Sequence, residues 1–216
     1  MARRGELEIE LGPVGYLAPA GANVVVAPNL VLNWGFAENW ELVLQGRGLA
    51  PVPAPPSGPA YAVDETQLLL KVVLRRGCLQ EREGPSVATE FGALLPTWNA
   101  QPGWGAEDTL IVSQSWPAIT LHLNGTVEWT RAHTFGLFAG LIAEGPDKWV
   151  VRPVAETYFE ADRGAPITAS VLGGAIWRTS DDLSFDAAVR AARTGAEQVY
   201  EFRLGFTWDV RVGPAE

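Results

Sequence analysis

The stretch Ile119-Thr120-Leu121-His122-Leu123-Asn124-Gly125-Thr126-Val127-Glu128-Trp129 alternates without a fault. Its odd positions are apolar or glycine and its even positions are polar. A period of two over this length is that of a β-strand with two chemically distinct faces. Lys148 to Glu160 repeats the pattern, with Val150 and Val154 interrupting the polar face. Working outward from these two stretches predicts twelve strands, at 6–16, 22–34, 40–48, 64–75, 85–96, 108–116, 119–130, 134–143, 149–160, 166–178, 183–192 and 198–210. Turn residues separate them: Phe36-Ala37-Glu38-Asn39, Trp116-Pro117, Gly145-Pro146-Asp147 and Ser180-Asp181-Asp182. A helical alternative exists only over Asp186 to Gln198, and Thr194 and Gly195 break it. Strands of this length suit tilted bilayer crossings of ~9–11 residues better than the ~5–6 residues of soluble strands.

The apolar face of each strand can be collected by parity. It includes Leu7, Ile9, Leu11, Val24, Val26, Leu30, Leu32, Leu68, Leu70, Val72, Leu74, Phe202, Leu204 and Phe206, and only Asp64 and Asp108 on it are charged. Both open their predicted strands, where a boundary shifted by one would remove them. The opposite face carries Glu6, Glu8, Glu10, Glu41, Arg47, Glu65, Lys71, Arg75, Glu90, Glu128, Arg152, Glu156, Glu160, Arg178, Asp186, Arg190, Glu201, Arg203 and Asp209. Alternation does not say which face is inside. A soluble sandwich or lipocalin-like barrel hides the apolar face, whereas a transmembrane barrel turns it to lipid.

The tryptophans separate these readings. With strands running alternately up and down, Trp34, Trp40, Trp116, Trp149, Trp177 and Trp208 share the apolar parity and fall at one rim. Trp129, Phe135, Phe159 and Tyr200 fall at the other. Two aromatic belts at the ends of long strands are what a membrane interface selects. A soluble core would bury such rings at mid-strand. The expectation is therefore all-β: a twelve-stranded antiparallel transmembrane β-barrel, with 1–216 as one domain, the barrel over about 6–210 and flexible ends. The even strand number puts both chain ends at the inner rim.

Composition agrees with this reading. Of 216 residues, 47% are hydrophobic and 19% charged, with nine Trp and 23 Gly. The single Cys excludes an internal disulfide and any CxxC site. A net charge of −9 argues against nucleic acid as a partner. No run reaches the ~18 apolar residues of a membrane helix, and Met1-Ala2-Arg3-Arg4 leads into no signal-peptide core.

Several short motifs carry a family likeness. They are Ala27-Pro28-Asn29-Leu30-Val31-Leu32-Asn33-Trp34-Gly35, Glu38-Asn39-Trp40-Glu41-Leu42, Asp64-Glu65-Thr66 leading to Leu70-Lys71, Pro85-Ser86-Val87-Ala88 leading to Leu95-Pro96-Thr97, and His122-Leu123-Asn124-Gly125. With similar strand and turn spacing over nearly the whole chain, the sequence resembles outer-membrane barrels of the MetA-type phenol-degradation family of transporters. The resemblance implies a bacterial outer-membrane location, with the lipid bilayer (or detergent) and a small hydrophobic or aromatic solute as partners. It transfers no binding residue and leaves the oligomeric state open. The sequence departs from such barrels in two respects. It shows no signal peptide, which suggests a mature segment behind a new Met1. Many such barrels also end on an aromatic residue, whereas here Asp209 to Glu216 follows Trp208.

The candidate pore-lining residues are Arg47, Lys71, Arg75, Glu90, His122, Glu128, Arg152, Glu156, Arg190, Glu201 and Arg203. Trp34, Trp40, Trp116, Trp129, Trp149, Trp177 and Trp208 are expected as the interface girdle. Opposite charges along the wall can select solutes or neutralise one another in a filled lumen. An enzyme is not expected: no serine within the strands shares the outward parity of His133, and His122 with Glu128 offers too few donors for zinc. No cofactor or metal is expected. The alternatives to a passive pore are a lumen plugged by its own salt bridges with a structural role, and a soluble β-sandwich binding module. The Pro51–Pro59 segment favours polyproline geometry and an outer-loop position. Trp98 and Trp104 in the next outer loop either capture aromatic solutes or pack against the rim. Cys78, in an inner turn, is expected to have no role.

Overall fold

The computed structural model describes residues 1–19 and 23–213. The strands are β1 (Glu6–Ala18), β2 (Asn23–Ala37), β3 (Trp40–Val52), β4 (Ala62–Arg75), β5 (Ser86–Leu94), β6 (Gly105–Trp116), β7 (Ile119–Trp129), β8 (Phe135–Glu144), β9 (Val151–Asp162), β10 (Thr168–Arg178), β11 (Leu183–Thr194) and β12 (Glu197–Arg211). Each pairs antiparallel with its sequence neighbours, and β1 pairs with β12 to close a barrel. The twelve expected strands are all present. The helical alternative over Asp186–Gln198 is overturned: β11 and β12 pair without interruption from Leu183 opposite Trp208 to Thr194 opposite Glu197. Alanine-rich helical propensity there is outweighed by sheet pairing, in which β11 is bonded on both sides, by β10 and by β12.

Exposure shows which face is outside. All nine Trp are between 40% and 61% exposed, although Trp is normally among the more buried residues. Leu68, Leu110, Leu123, Leu137, Val171 and Val189 are exposed as well, in the middle of their strands. The buried residues are instead largely polar: Asn33, Glu41, Ser86, Ser113, Thr120, Ser170 and Glu201. The apolar face is thus the outer wall and the charged face the interior. A few apolar side chains remain inside, among them Val43 and Leu69, which pair directly across β3 and β4 and are almost fully buried.

Register shifts change the parity read from the sequence, as in β1, where the one between Leu11 and Val14 turns Val14 and Tyr16 outward. Three others bear on particular expectations. In β2 the shift between Val26 and Asn29 turns Val26 inward, where it is buried opposite Gly15 and Leu49, instead of outward as expected. A second shift, between Gln45 and Arg47 against β4, coincides with a left-handed backbone at Glu65 (φ 51°). It brings Asp64 inward to pair with Arg47, so one of the two apparent charges on the apolar face is not there. β-bulges of this kind insert one residue and reverse alternation beyond it. The third shift, between Val73 and Arg75, takes Arg75 out of the interior alternation. Asp108, by contrast, lies within β6 and faces outward beside Phe91, accepting a hydrogen bond from Thr89 Oγ1 at 2.6 Å.

Candidate functional site: the barrel interior

Among the described residues, four ion-paired clusters lie in the interior, beside an amide chain in which Gln45 bonds Gln67 and Gln67 Nε2 donates to Glu107 at 3.4 Å. On the β9–β12 wall, Glu201 receives Arg190 Nε at 2.6 Å on Oε2 and Arg203 Nε at 2.6 Å on Oε1. Arg190 also donates to Tyr158 Oη at 2.6 Å and lies over that ring. These are charge-assisted, partly bidentate contacts, the strong kind. Near the inner rim, Lys71 Nζ bridges Glu41 (3.2 Å) and Glu90 (2.9 Å). Glu41 is wholly buried and also accepts the Ala2 backbone N–H at 2.5 Å. Beside it, Asn33 donates to Glu8 and Glu10 at 3.1 and 2.7 Å. Toward the other rim, Arg47 pairs with Asp64 (3.5 Å) and Glu65 (2.8 Å). The fourth cluster joins Arg152 to Glu144 (3.3 Å) and Asp147 (2.6 Å), with His122 Nε2 at 3.7 Å from Glu144.

Eight of the eleven expected lining residues belong to these clusters, and Glu128 and Glu156, half-buried, share the inward parity of their strands. Arg75 does not: it is exposed at the inner rim and donates to the Pro85 carbonyl at 2.9 Å. The bulge beside it, invisible to a parity rule, accounts for the difference. Glu107, Glu144 and Asp162 also face inward and were missed. Each lies one or two residues beyond a predicted strand end, and continuing the alternation from Thr109, Ile142 and Glu160 would have found them.

Glycines keep part of the interior open. A cavity of about 210 Å³ is lined by Gly12, Gly15, Asn29, Asp186, Glu201, Arg203 and Gly205 among others. A Cβ at Gly205 would stand 2.5 Å from an Asp186 carboxylate oxygen, so the missing side chain is the space this carboxylate occupies.

The inner turn at 76–85 folds against the wall. Cys78 Sγ donates to the Ser113 carbonyl at 3.3 Å and accepts the Ser115 N–H at 3.2 Å, so Cys78 anchors this turn to β6. Ser113 Oγ lies 2.8 Å from His122 Nδ1. The residue types Ser113, His122 and Glu144 are those of a hydrolytic triad, but Ser113 is 2% exposed and the His122–Glu144 separation exceeds a hydrogen bond. Neither attack nor relay has the access it needs. Among the described residues, no three His, Cys, Asp or Glu side chains are placed to hold a metal, and no helix is long and apolar enough to cross a membrane.

At the outer rim, Trp98 lies against Tyr61 with ring centroids 6.2 Å apart, and its carbonyl accepts the Val63 N–H. This loop packs on the rim. Trp104 immediately precedes β6 and is exposed, as the rim tryptophans are.

Together these features define a closed, twelve-stranded antiparallel barrel with the fold of outer-membrane channels. The COG4313 outer membrane channel from Pseudomonas putida F1 aligns with a TM-score of 0.63 at 9% identity, over 97% of each chain. The KdgM porin in complex with disordered oligogalacturonate aligns at 0.59 and 10% identity, over 93% of this chain and 98% of the porin. The CymD monoaromatic hydrocarbon channel aligns at 0.53 and 9% identity, over 100% of this chain and 90% of its own. At such identities the likeness is one of fold. No family model matches the sequence, and neither does any curated protein.

Proposed function

We propose that this chain is a single-domain barrel of a bacterial outer membrane and acts as a narrow passive pore for small solutes, hydrophobic or aromatic ones among them. The observation that carries the reading is the inverted polarity of the fold, with exposed Leu, Val and Trp outside and paired charges within. A wall of this kind is stable in lipid, where every backbone group must be satisfied by a closed ladder. The seven girdle tryptophans then sit at headgroup depth. Arg47, Lys71, Glu90, His122, Glu128, Arg152, Glu156, Arg190, Glu201 and Arg203 line the passage. The aromatic solute class draws on the resemblance to the MetA-type transporters and on the likeness to a monoaromatic hydrocarbon channel.

A second reading has its own support: the Arg190–Glu201–Arg203 and Glu41–Lys71–Glu90 clusters could fill the lumen and close it. One experiment decides between the two. The purified barrel is reconstituted in planar bilayers and in liposomes, and the pore reading expects discrete current steps and solute-driven swelling. A correctly folded barrel giving neither current above background nor flux would refute the pore.

A further inference from the structure

The net charge of −9 must be located somewhere on the barrel. Between the aromatic rims the outer face carries Asp108 as its charged side chain, so the imbalance falls on the interior and the mouths. Inside, the cations are already matched. Arg47, Lys71, Arg152, Arg190 and Arg203 each lie within 3.5 Å of at least one carboxylate. Arg131, at the outer rim, donates to the Leu95 and Thr66 carbonyls at 2.8 and 2.7 Å, and its charge reaches Glu107 and Glu128 without an ion pair to either.

Several carboxylates have no such match. Glu107 stands directly opposite Glu128 in the β6–β7 pairing. The next position along the same row is Gly136, which is opposite Asp162. A Cβ on Gly136 would stand 2.5 Å from Asp162 Oδ1 and 3.5 Å from Glu128 Cβ, so the Asp162 carboxylate is folded over this glycine toward Glu128. Glu160 follows two residues earlier on β9. The ion pairs of the described residues leave all four out. Like charges placed directly opposite destabilise a sheet. Their repulsion falls when mobile counter-cations occupy the water between them, and the same fixed charge repels anions.

We infer that the pore is cation-selective, with the unmatched row Glu107, Glu128 and Asp162, joined by Glu160, setting the preference near the outer mouth. The inference rests on the pore reading and adds the charge class of what passes: neutral and cationic solutes ahead of anions. It sets this chain apart from a channel suited to polyanionic sugars.

The test is the zero-current potential across a planar bilayer under a tenfold KCl gradient. The expected sign is that of K⁺ permeating ahead of Cl⁻, by a ratio of about threefold or more at low salt. The preference should shrink at about 1 M salt, where the screening length falls to ~3 Å from ~10 Å at 0.1 M. This comparison uses the native chain and does not depend on any variant folding. The double variant Glu107→Gln/Glu128→Gln should move the ratio toward one while single-channel current persists. An open channel that is unselective or prefers Cl⁻ at low salt overturns the inference and leaves the pore standing. A ratio unchanged in a folded, conducting double variant overturns the assignment to this row. A silent barrel refutes the pore reading, and the inference with it.

Discussion

Val189→Arg puts the orientation of the wall to a quantitative test. Val189 is 61% exposed, in the middle of β11 between Gly173 of β10 and Phe202 of β12. It stands four residues from Phe185, whose ring lies 6.2 Å from that of Trp177 in the girdle. Four residues at ~3.3 Å each make ~13 Å along the strand, or ~10 Å of depth at a tilt of ~40°. That is close to the middle of an apolar band ~25 Å tall, where an arginine costs about 2–4 kcal/mol. Converted at ~1.4 kcal/mol per tenfold, the folded-to-unfolded ratio should fall by about 30- to 700-fold. On a water-facing surface the same exposed position would tolerate arginine within about 0.5 kcal/mol. Urea titration of the barrel in lipid vesicles, followed by Trp fluorescence, reads the difference. A Val189→Arg barrel as stable in vesicles as the native chain would refute the outward-to-lipid assignment, however well the fold itself is described.

Three further outcomes follow from the interior and the rims. Glu201→Gln leaves the nearly buried Arg190 without its carboxylate, and breaking such a pair costs about 3–5 kcal/mol. Arg203→Gln should cost less, because Arg203 is partly exposed and Glu201 keeps Arg190 as its partner; equal losses in the same urea titration would contradict the assignment. Gly92→Ala drives a Cβ to 2.3 Å from the Leu68 carbonyl, which is backbone and cannot yield, whereas Gly125→Ala meets nothing within 4 Å. The first should lose about 1–3 kcal/mol by overpacking and the second should stay near native, as compared by thermal gel-shift midpoints. At the inner turn, the Arg76 guanidinium hydrogen-bonds Glu38 and holds its carboxyl below the ordinary range. The folded-state value is the lower one, so the contribution is present above the unfolded value of ~4.3 and fades as pH falls through the folded one. Arg76→Ala should raise the Glu38 titration midpoint in carbon-detected NMR, and an unmoved midpoint would remove Arg76 as the cause.

The barrel was legible because its strands are long and obey a period of two, and because rim tryptophans tell outside from inside. Ile119 to Trp129 needed no tertiary information to be placed. What escaped was local or three-dimensional. Nothing in Ala27-Pro28, or in Val73-Leu74-Arg75, fixes where the count slips by one, so a parity rule puts Val26 on the wrong face and Arg75 in the wrong compartment. The position of a bulge is chosen by the partner strand as much as by its own residues. Glu107, Glu144 and Asp162 were lost to strand ends, where fraying makes boundaries uncertain by a residue or two. The partnership of Arg190 with Glu201 and Tyr158 spans β9, β11 and β12, and it exists only once successive pairing brings those strands to one wall. Cys78 offered no pattern at all, since its contacts with Ser113 and Ser115 depend on how the inner turn folds back.

The seam between β1 and β12 runs from Glu6 opposite Arg211 to Ala18 opposite Tyr200. It joins segments almost the whole chain apart, so the final ladder can form only after all the other strands exist. The entropy of bringing such distant segments together grows slowly with separation, yet contacts this non-local are slow to find. Until they form, β1 and β12 each present a row of unpaired backbone groups, which hydrocarbon penalises by several kcal/mol apiece. An unclosed sheet is therefore poorly suited to wait in the bilayer, and its open edges are templates for another copy of the same chain. Insertion and closure should proceed together, late and nearly all at once, and crowding of half-made barrels is the hazard this architecture carries.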